Sequence, residues 1–192
     1  MSAQPQVTAT CGYTAEEQQL LLNVARQAIA AAVERREFSP PTPPARLAEP
    51  RAVFTTLHLG SALRGCVGHV VATEPLLHAV AQTAVSAALC DPRFPPLTRA
   101  ELSGLKIHLS ILSPLEPIRV DQIELGRHGL VVAMGARRGL LLPQVPLEWG
   151  WTVEEFLAQT CGKAGLPSGA WRDGSTQLFG FTAEVFGDEA QA

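Results

Sequence analysis

Five prolines fall between Ser39 and Pro50. No helix can run through them, because proline lacks the backbone donor and its ring clashes with the preceding turn. The chain must change character across this connector. Before it, Thr14 and Glu17 form a capping-box pattern, and Leu20, Leu21, Val24, Ala28, Ala31 and Ala32 recur at helical spacing. That pattern predicts a helix from Thr14 to about Glu37, preceded by a loose tail over residues 1–13. After the connector, Arg51 to Leu59 alternates with period two, setting Val53, Thr55 and Leu57 against Phe54, Thr56 and His58. Gly60-Ser61 is a turn, and Leu63 to Val70 returns as the partner strand.

The returning strand carries the chemistry. In Leu63-Arg64-Gly65-Cys66-Val67-Gly68-His69-Val70 a cysteine stands between two glycines, with Arg64 before it and His69 after it. Glycine weakens a strand, so the pair Gly65 and Gly68 predicts a bend or bulge where something approaches the backbone closely. A thiol beside a guanidinium is favoured as the thiolate, the form that attacks electrophiles and binds metals. The alternative is a hairpin whose small thiol packs inward, as free cysteines often do.

The remaining chain alternates helices and hairpins. Thr73-Glu74-Pro75 reads as a helix start, with the helix running to about Cys90. If the chain folds back, the positive end of that helix adds to thiolate stabilisation. Asp91-Pro92-Arg93-Phe94-Pro95-Pro96-Leu97 is a stiff loop that either ends the helix or offers Arg93 as a carboxylate or phosphate clamp. Lys106 to Leu112 is a strand, with Ile107, Leu109 and Ile111 on one face and His108 on the other. Ile118 to Leu125 is irregular or a short strand, and Leu130–Met134 with Leu140–Leu142 forms a hairpin. Residues 142 to 151 form a loop, with Pro146 stiffening the stretch from Gln144 to Glu148. Thr152 and Glu155 cap a further helix, and Leu178 to Phe186 is the last strand. The sum is an α+β fold with a largely antiparallel sheet flanked by helices.

Composition narrows the function. A net charge of −3 gives no footprint for nucleic acid or an anionic membrane surface. No apolar run reaches transmembrane length, and Met1 to Gly12 shows no secretory signal, which predicts a cytoplasmic protein. Cys11, Cys66, Cys90 and Cys161 are far apart with no Cys-x-x-Cys pair, so neither a disulfide framework nor a metal site is expected. No cofactor motif appears.

Taken together, the motifs resemble those of the AmmeMemoRadiSam system protein A family. Its hallmark is the Leu63-Arg64-Gly65-Cys66-Val67-Gly68 block. Residues 91–97, Leu109-Ser110-Ile111-Leu112-Ser113-Pro114, His128-Gly129-Leu130 and Gly139-Leu140-Leu141-Leu142-Pro143-Gln144-Val145 also match. Cys161-Gly162-Lys163-Ala164-Gly165-Leu166-Pro167, followed by Trp171, completes the set. The resemblance covers about residues 14 to 187 in the family's order, leaving 188–192 as a tail. It implies one domain of two lobes, the larger holding both chain ends. It also implies a bacterial or archaeal protein encoded near, or fused to, a Memo-type protein and a radical S-adenosylmethionine enzyme. It brings no established reaction. His108 departs from the pattern, since an acidic residue usually stands there.

Two functional readings follow. In the first, the protein is a cysteine-dependent enzyme, or a component of one. Cys66 is the nucleophile or covalent carrier, Arg64 or a histidine activates it, and glycine amides serve as oxyanion donors. His69 is the first candidate base, with His58, His108 and His128 as the others. Gly65, Gly68, Arg93, Phe94 and Gln144 bind the substrate. In the second, the same groove is a non-catalytic adaptor surface with Trp149 and Trp151 as anchors, although Trp151 beside a cap also suits a hydrophobic staple.

Overall fold

The computed structural model describes residues 12–188. The first helix, α1 (Ala15–Val33), opens with the expected capping box: Glu17 N–H donates to Thr14 Oγ1, and Thr14 N–H donates to Glu17 Oε2. It stops short of Glu37 because Arg35 adopts a left-handed conformation, with φ 54°, that turns the chain out of the helix. Most of the expected tail, including Cys11, lies outside the described residues.

Strands β1 (Val53–Leu59) and β2 (Ala62–Gly68) form the expected hairpin, which contains a bulge. Leu57 pairs with Gly65 and His58 with Leu63, so Arg64 is the extra residue. Helix α2 (Leu76–Leu89) begins after Pro75 rather than at Thr73. Pro75 is extended and bridges Pro50, while Leu76 N–H donates to the Glu49 carbonyl, so tertiary pairing holds the first turn open. Strand β3 (Leu105–Leu112) joins β1 on the side away from β2.

The chain then crosses to a second sheet. It enters through β4 (Glu116–Pro117), much shorter than the strand considered for Ile118 to Leu125, and continues through β5 (Gly129–Met134) and β6 (Arg137–Leu141). The stretch expected as a loop holds a short helix, α3 (Val145–Trp149), which Pro146 helps to start and left-handed Gly150 ends. Helix α4 (Val153–Lys163) carries the expected Thr152–Glu155 capping box.

The last expected strand is two. β7 (Gln177–Phe181) belongs to the second sheet and β8 (Ala183–Gly187) to the first. They part at Thr182, whose amide donates to Ser113 Oγ while its carbonyl accepts the Ser113 amide. Two segments therefore cross between the sheets side by side.

Both sheets are antiparallel and four-stranded, in the orders β2-β1-β3-β8 and β4-β7-β5-β6. Val53, Leu57, Ile107, Leu109 and Ile111 bury against α1 and α2. A hydrogen bond of 2.8 Å between the buried hydroxyls of Thr55 and Thr83 pins α2 to β1. Leu130, Leu141, Phe156 and Leu157 form a second core. Ala52, Leu112, Val131 and Phe181 form a further cluster that joins the two sheets. Among the described residues, no helix is long and apolar enough to cross a membrane.

Candidate functional site

Cys66 lies on an edge strand, directly across from Thr56. Its amide donates to Asp91 Oδ2 at 2.8 Å and its carbonyl accepts from Arg93 Nη2 at 3.2 Å. Both backbone groups therefore point away from β1, which makes Cys66 and Thr56 a non-hydrogen-bonded pair with closely opposed side chains. Cys66 Sγ sits 3.3 Å from Thr56 Oγ1. The half-buried sulfur lies on the face of the first sheet opposite the helices.

Asp91 organises this edge. Its carboxylate is 3% exposed and accepts, besides the Cys66 amide, the backbone N–H, Nε and Nη2 of Arg93. The Arg93 side chain holds the Asp91 carboxyl far below the usual carboxylate range, and the Cys66 and Arg93 amides add to this against the penalty of burial. Arg93 is held charged chiefly by Asp91, with the Cys66 side chain contributing. Arg93 is thus the cation bonded to the Cys66 backbone, and it also lies over the Phe94 ring at 5.5 Å.

Arg64 has a different role. The bulge turns it to Glu101, with contacts of 2.8 Å (Nε to Oε1) and 3.3 Å (Nη2 to Oε2), and to the Pro96 carbonyl at 3.4 Å. Arg64, followed by the Thr98 amide, pulls the Glu101 carboxyl down to about 2. Both depressed carboxylates stabilise the fold above their ordinary values of 4.5 and 3.8, and that contribution is lost as pH falls through the folded values. The urea midpoint is therefore expected to stay flat from pH 8 to 5 with respect to these groups and to fall below pH 4. Solvent screening limits the Glu101 share to about 1–2 kcal/mol. An Arg64→Met variant should show a shallower acid loss.

The glycines answer to close approach. A Cβ on Gly65 would stand 2.1 Å from the Ala87 carbonyl oxygen of α2, and one on Gly68 would stand 2.3 Å from the Phe54 ring. These two residues let a helix and an aromatic ring press on the strand. The Cys66 amide, bonded to Asp91, is not a free oxyanion donor.

The expected base His69 does not join the sulfur. Two faces alternate along β2, and past its end His69 lines a cleft beside α2, while its amide donates to the Val53 carbonyl. The histidines on the Cys66 face are His58 and His108, with ring centroids 5.3 Å apart in a T-shaped arrangement. His108 pairs with Thr56 on the side opposite Cys66, giving a row Cys66–Thr56–His108 across three strands. Both Nδ1 atoms are buried without a protein hydrogen bond. Burial, and then the neighbouring His108, lower the pKa of His58. His128 is elsewhere, its Nδ1 accepting from the Glu124 amide. Gln144 precedes α3, is exposed, and makes no hydrogen bond or ion pair with the Cys66 cluster.

Sequence reading passed over Thr56, Asp91 and Glu101. Glu101 had a visible signal, since Thr98-Arg99-Ala100-Glu101 is a capping box that the structure forms. Thr56 and Asp91 depend on strand register and loop reach, which spacing does not supply. Among the described residues, no group of three or more His, Cys, Asp or Glu side chains is placed to hold a metal ion.

The AMMECR1 family model matches residues 10–186. A protein of Thermococcus gammatolerans is 47% identical over 185 residues, covering 89% of this chain and 90% of that one. Protein TK0174 of Thermococcus kodakarensis is 44% identical over 184 residues, with the same coverage. The solved structure of the uncharacterized protein PH0010 from Pyrococcus horikoshii superposes with a TM-score of 0.80 at 43% identity, covering 88% of this chain and 90% of that one. On the family match and on identity sustained along nearly the whole of both partners, the chain belongs to the AMMECR1 family.

Proposed function

We propose that the protein is a cysteine-dependent enzyme, or the thiol-bearing component of one, working from the helix-free face of the first sheet. Cys66 acts as nucleophile or covalent carrier: its sulfur loses its proton and bonds to an electrophilic carbon of the substrate, and the electron pair displaced from that carbon goes to a leaving group or to the adjacent heteroatom of an opened double bond. The Thr56 hydroxyl, 3.3 Å from the sulfur, is the group placed to accept that proton, with His108 next to it in register on the neighbouring strand. Arg93 supplies positive charge beside the sulfur and steadies the thiolate. The partners implied by the family resemblance, a Memo-type protein and a radical S-adenosylmethionine enzyme, deliver or remove the substrate.

The observation that carries this reading is the clamped backbone of Cys66. Both its peptide groups are fixed by the Asp91–Arg93 pair while the side chain stays half-exposed beside a hydroxyl. Alkylation by iodoacetamide, followed against pH and resolved by peptide, tests it. Cys66 should react faster at neutral pH than exposed Cys90, while buried Cys161 stays slow. A Cys66 rate no greater than that of Cys90 throughout would refute the reading. In a system reconstituted with the two partners, Cys66→Ser should abolish turnover.

One observation favours an adaptor role as a second reading. Trp149 is 70% exposed and stacks on Trp151 at 6.1 Å, and Leu147 of the same short helix is 61% exposed. Large exposed side chains grouped on a short helix suit anchoring in a partner. Co-purification with the Memo-type or radical enzyme that is lost in Trp149→Ala but kept in Cys66→Ser supports this alternative.

A further inference from the structure

On the far side of the first sheet from the Cys66 sulfur, α1, α2 and the proline-rich connector enclose a cleft of about 730 Å³. That volume is in the range of small-molecule sites. Local structure makes the cleft. Ala28 and Ala32 of α1 face Ala81 of α2, and these short side chains leave open the space that larger ones would fill. Arg35, the one non-glycine residue with positive φ among those described, then throws the chain back so that Phe38 and Pro40 form a wall. A left-handed arginine is a strained solution, and here it shapes the opening of the cleft.

The polar lining is one-sided. Arg36, His69, His78, Gln82 and Ser86 reach the cleft, and no carboxylate lines it, in a chain whose net charge is −3. Among the described residues, the side chains of His69, His78 and Ser86 have no hydrogen-bond partner. Glu37, between Arg36 and Phe38, is exposed and outside the lining, and two other nearby carboxylates are already engaged. Glu34 is shared between Arg36 at 2.6 Å and Arg99 at 3.4 Å, which leaves more positive than negative charge around it. Glu74, in an adjoining recess, accepts from Gln82 Nε2 at 2.6 Å.

We propose that this cleft binds a small organic carboxylate with an apolar body. The apolar part lies on Ala28, Ala32, Ala81 and Val85, and the carboxylate meets His69, His78 and the Ser86 hydroxyl. The site is separate from the thiol face and stands whether or not Cys66 is reactive.

Titration of the ¹⁵N-labelled full chain with octanoate, read by amide chemical shifts, tests this. The shifts should concentrate on residues 28–38, 69 and 78–86, and octanamide, which keeps the body but lacks the charge, should bind at least tenfold more weakly. Ala32→Leu fills the cleft from a half-buried position and should weaken octanoate at least tenfold with unchanged spectra elsewhere. Should that variant misfold, the double variant His69→Gln, His78→Gln changes only exposed or half-buried side chains and should reduce octanoate to the octanamide level. Absence of shifts at those residues, equal affinity for octanoate and octanamide, or full affinity in a folded Ala32→Leu chain would overturn the proposal.

Discussion

Replacing Asp91 with alanine is expected to lower stability by about 3 kcal/mol, a large share of what holds a single domain together. The carboxylate is nearly inaccessible, and its loss strands two kinds of donor at once, the Cys66 amide and the Arg93 guanidinium. A buried charge that loses its partner costs more than the pair itself contributes. Arg93 is 54% exposed and recovers part of its hydration, which places the loss at the lower end of the usual range. Urea unfolding measures the effect, and a double-mutant cycle with Arg93→Ala should give a coupling of about 1–3 kcal/mol. Additive single effects would mean that the two residues do not act as one clamp.

The second large effect is expected from one methyl group. Gly65→Ala puts a carbon where the Ala87 carbonyl stands, and backbone cannot rotate aside as a flexible side chain can. Helix α2 must withdraw from the strand, disturbing the Thr55–Thr83 contact and the core beneath it. Overpacking of this severity costs about 3 kcal/mol, or a fall in Tm of about 6–12 °C for a chain of this size. Gly162→Ala is the matched control. It lies inside α4 with nothing within 4 Å of the added atom, so it should be neutral or stabilising by up to about 1 kcal/mol. Equal Tm values for the two variants would show that Gly65 is not needed for close packing.

Much of this was legible in the chain itself. Both capping boxes, the proline connector and the strict alternation of β1 and β3 are local signals, and each led to the element expected. The glycine pair correctly announced close approach and a bulge, but not that helix α2 would be the object approaching Gly65. Local signals failed where long-range pairing decides the outcome. Thr73 and Pro75 look like a helix start until the Pro50 bridge takes up the turn. Leu178 to Phe186 looks like one strand until two sheets compete for its halves. At the site, the family motifs located Cys66, Arg64 and Arg93, yet sequence proximity misassigned their relations. His69, three residues from the thiol, lines the cleft beside α2, and Arg64, two residues away, belongs to Glu101. Thr56, Asp91 and Arg93, ten, twenty-five and twenty-seven residues away, are the groups that touch Cys66.

The return of β8 to the first sheet bears on how the protein is made. As the chain leaves the ribosome, β1, β2 and β3 emerge together, but the strand that covers the outer edge of β3 follows only after every strand of the second sheet. Until residues 183–187 arrive, β3 presents unpaired backbone along a run of Ile107, Leu109 and Ile111, a template for pairing with another nascent chain. The whole second sheet must be translated in the interval. A slow stretch of translation within residues 113–182 should therefore lower the yield of native protein, and nascent chains released before residue 183 should aggregate through that edge rather than fold as a truncated domain.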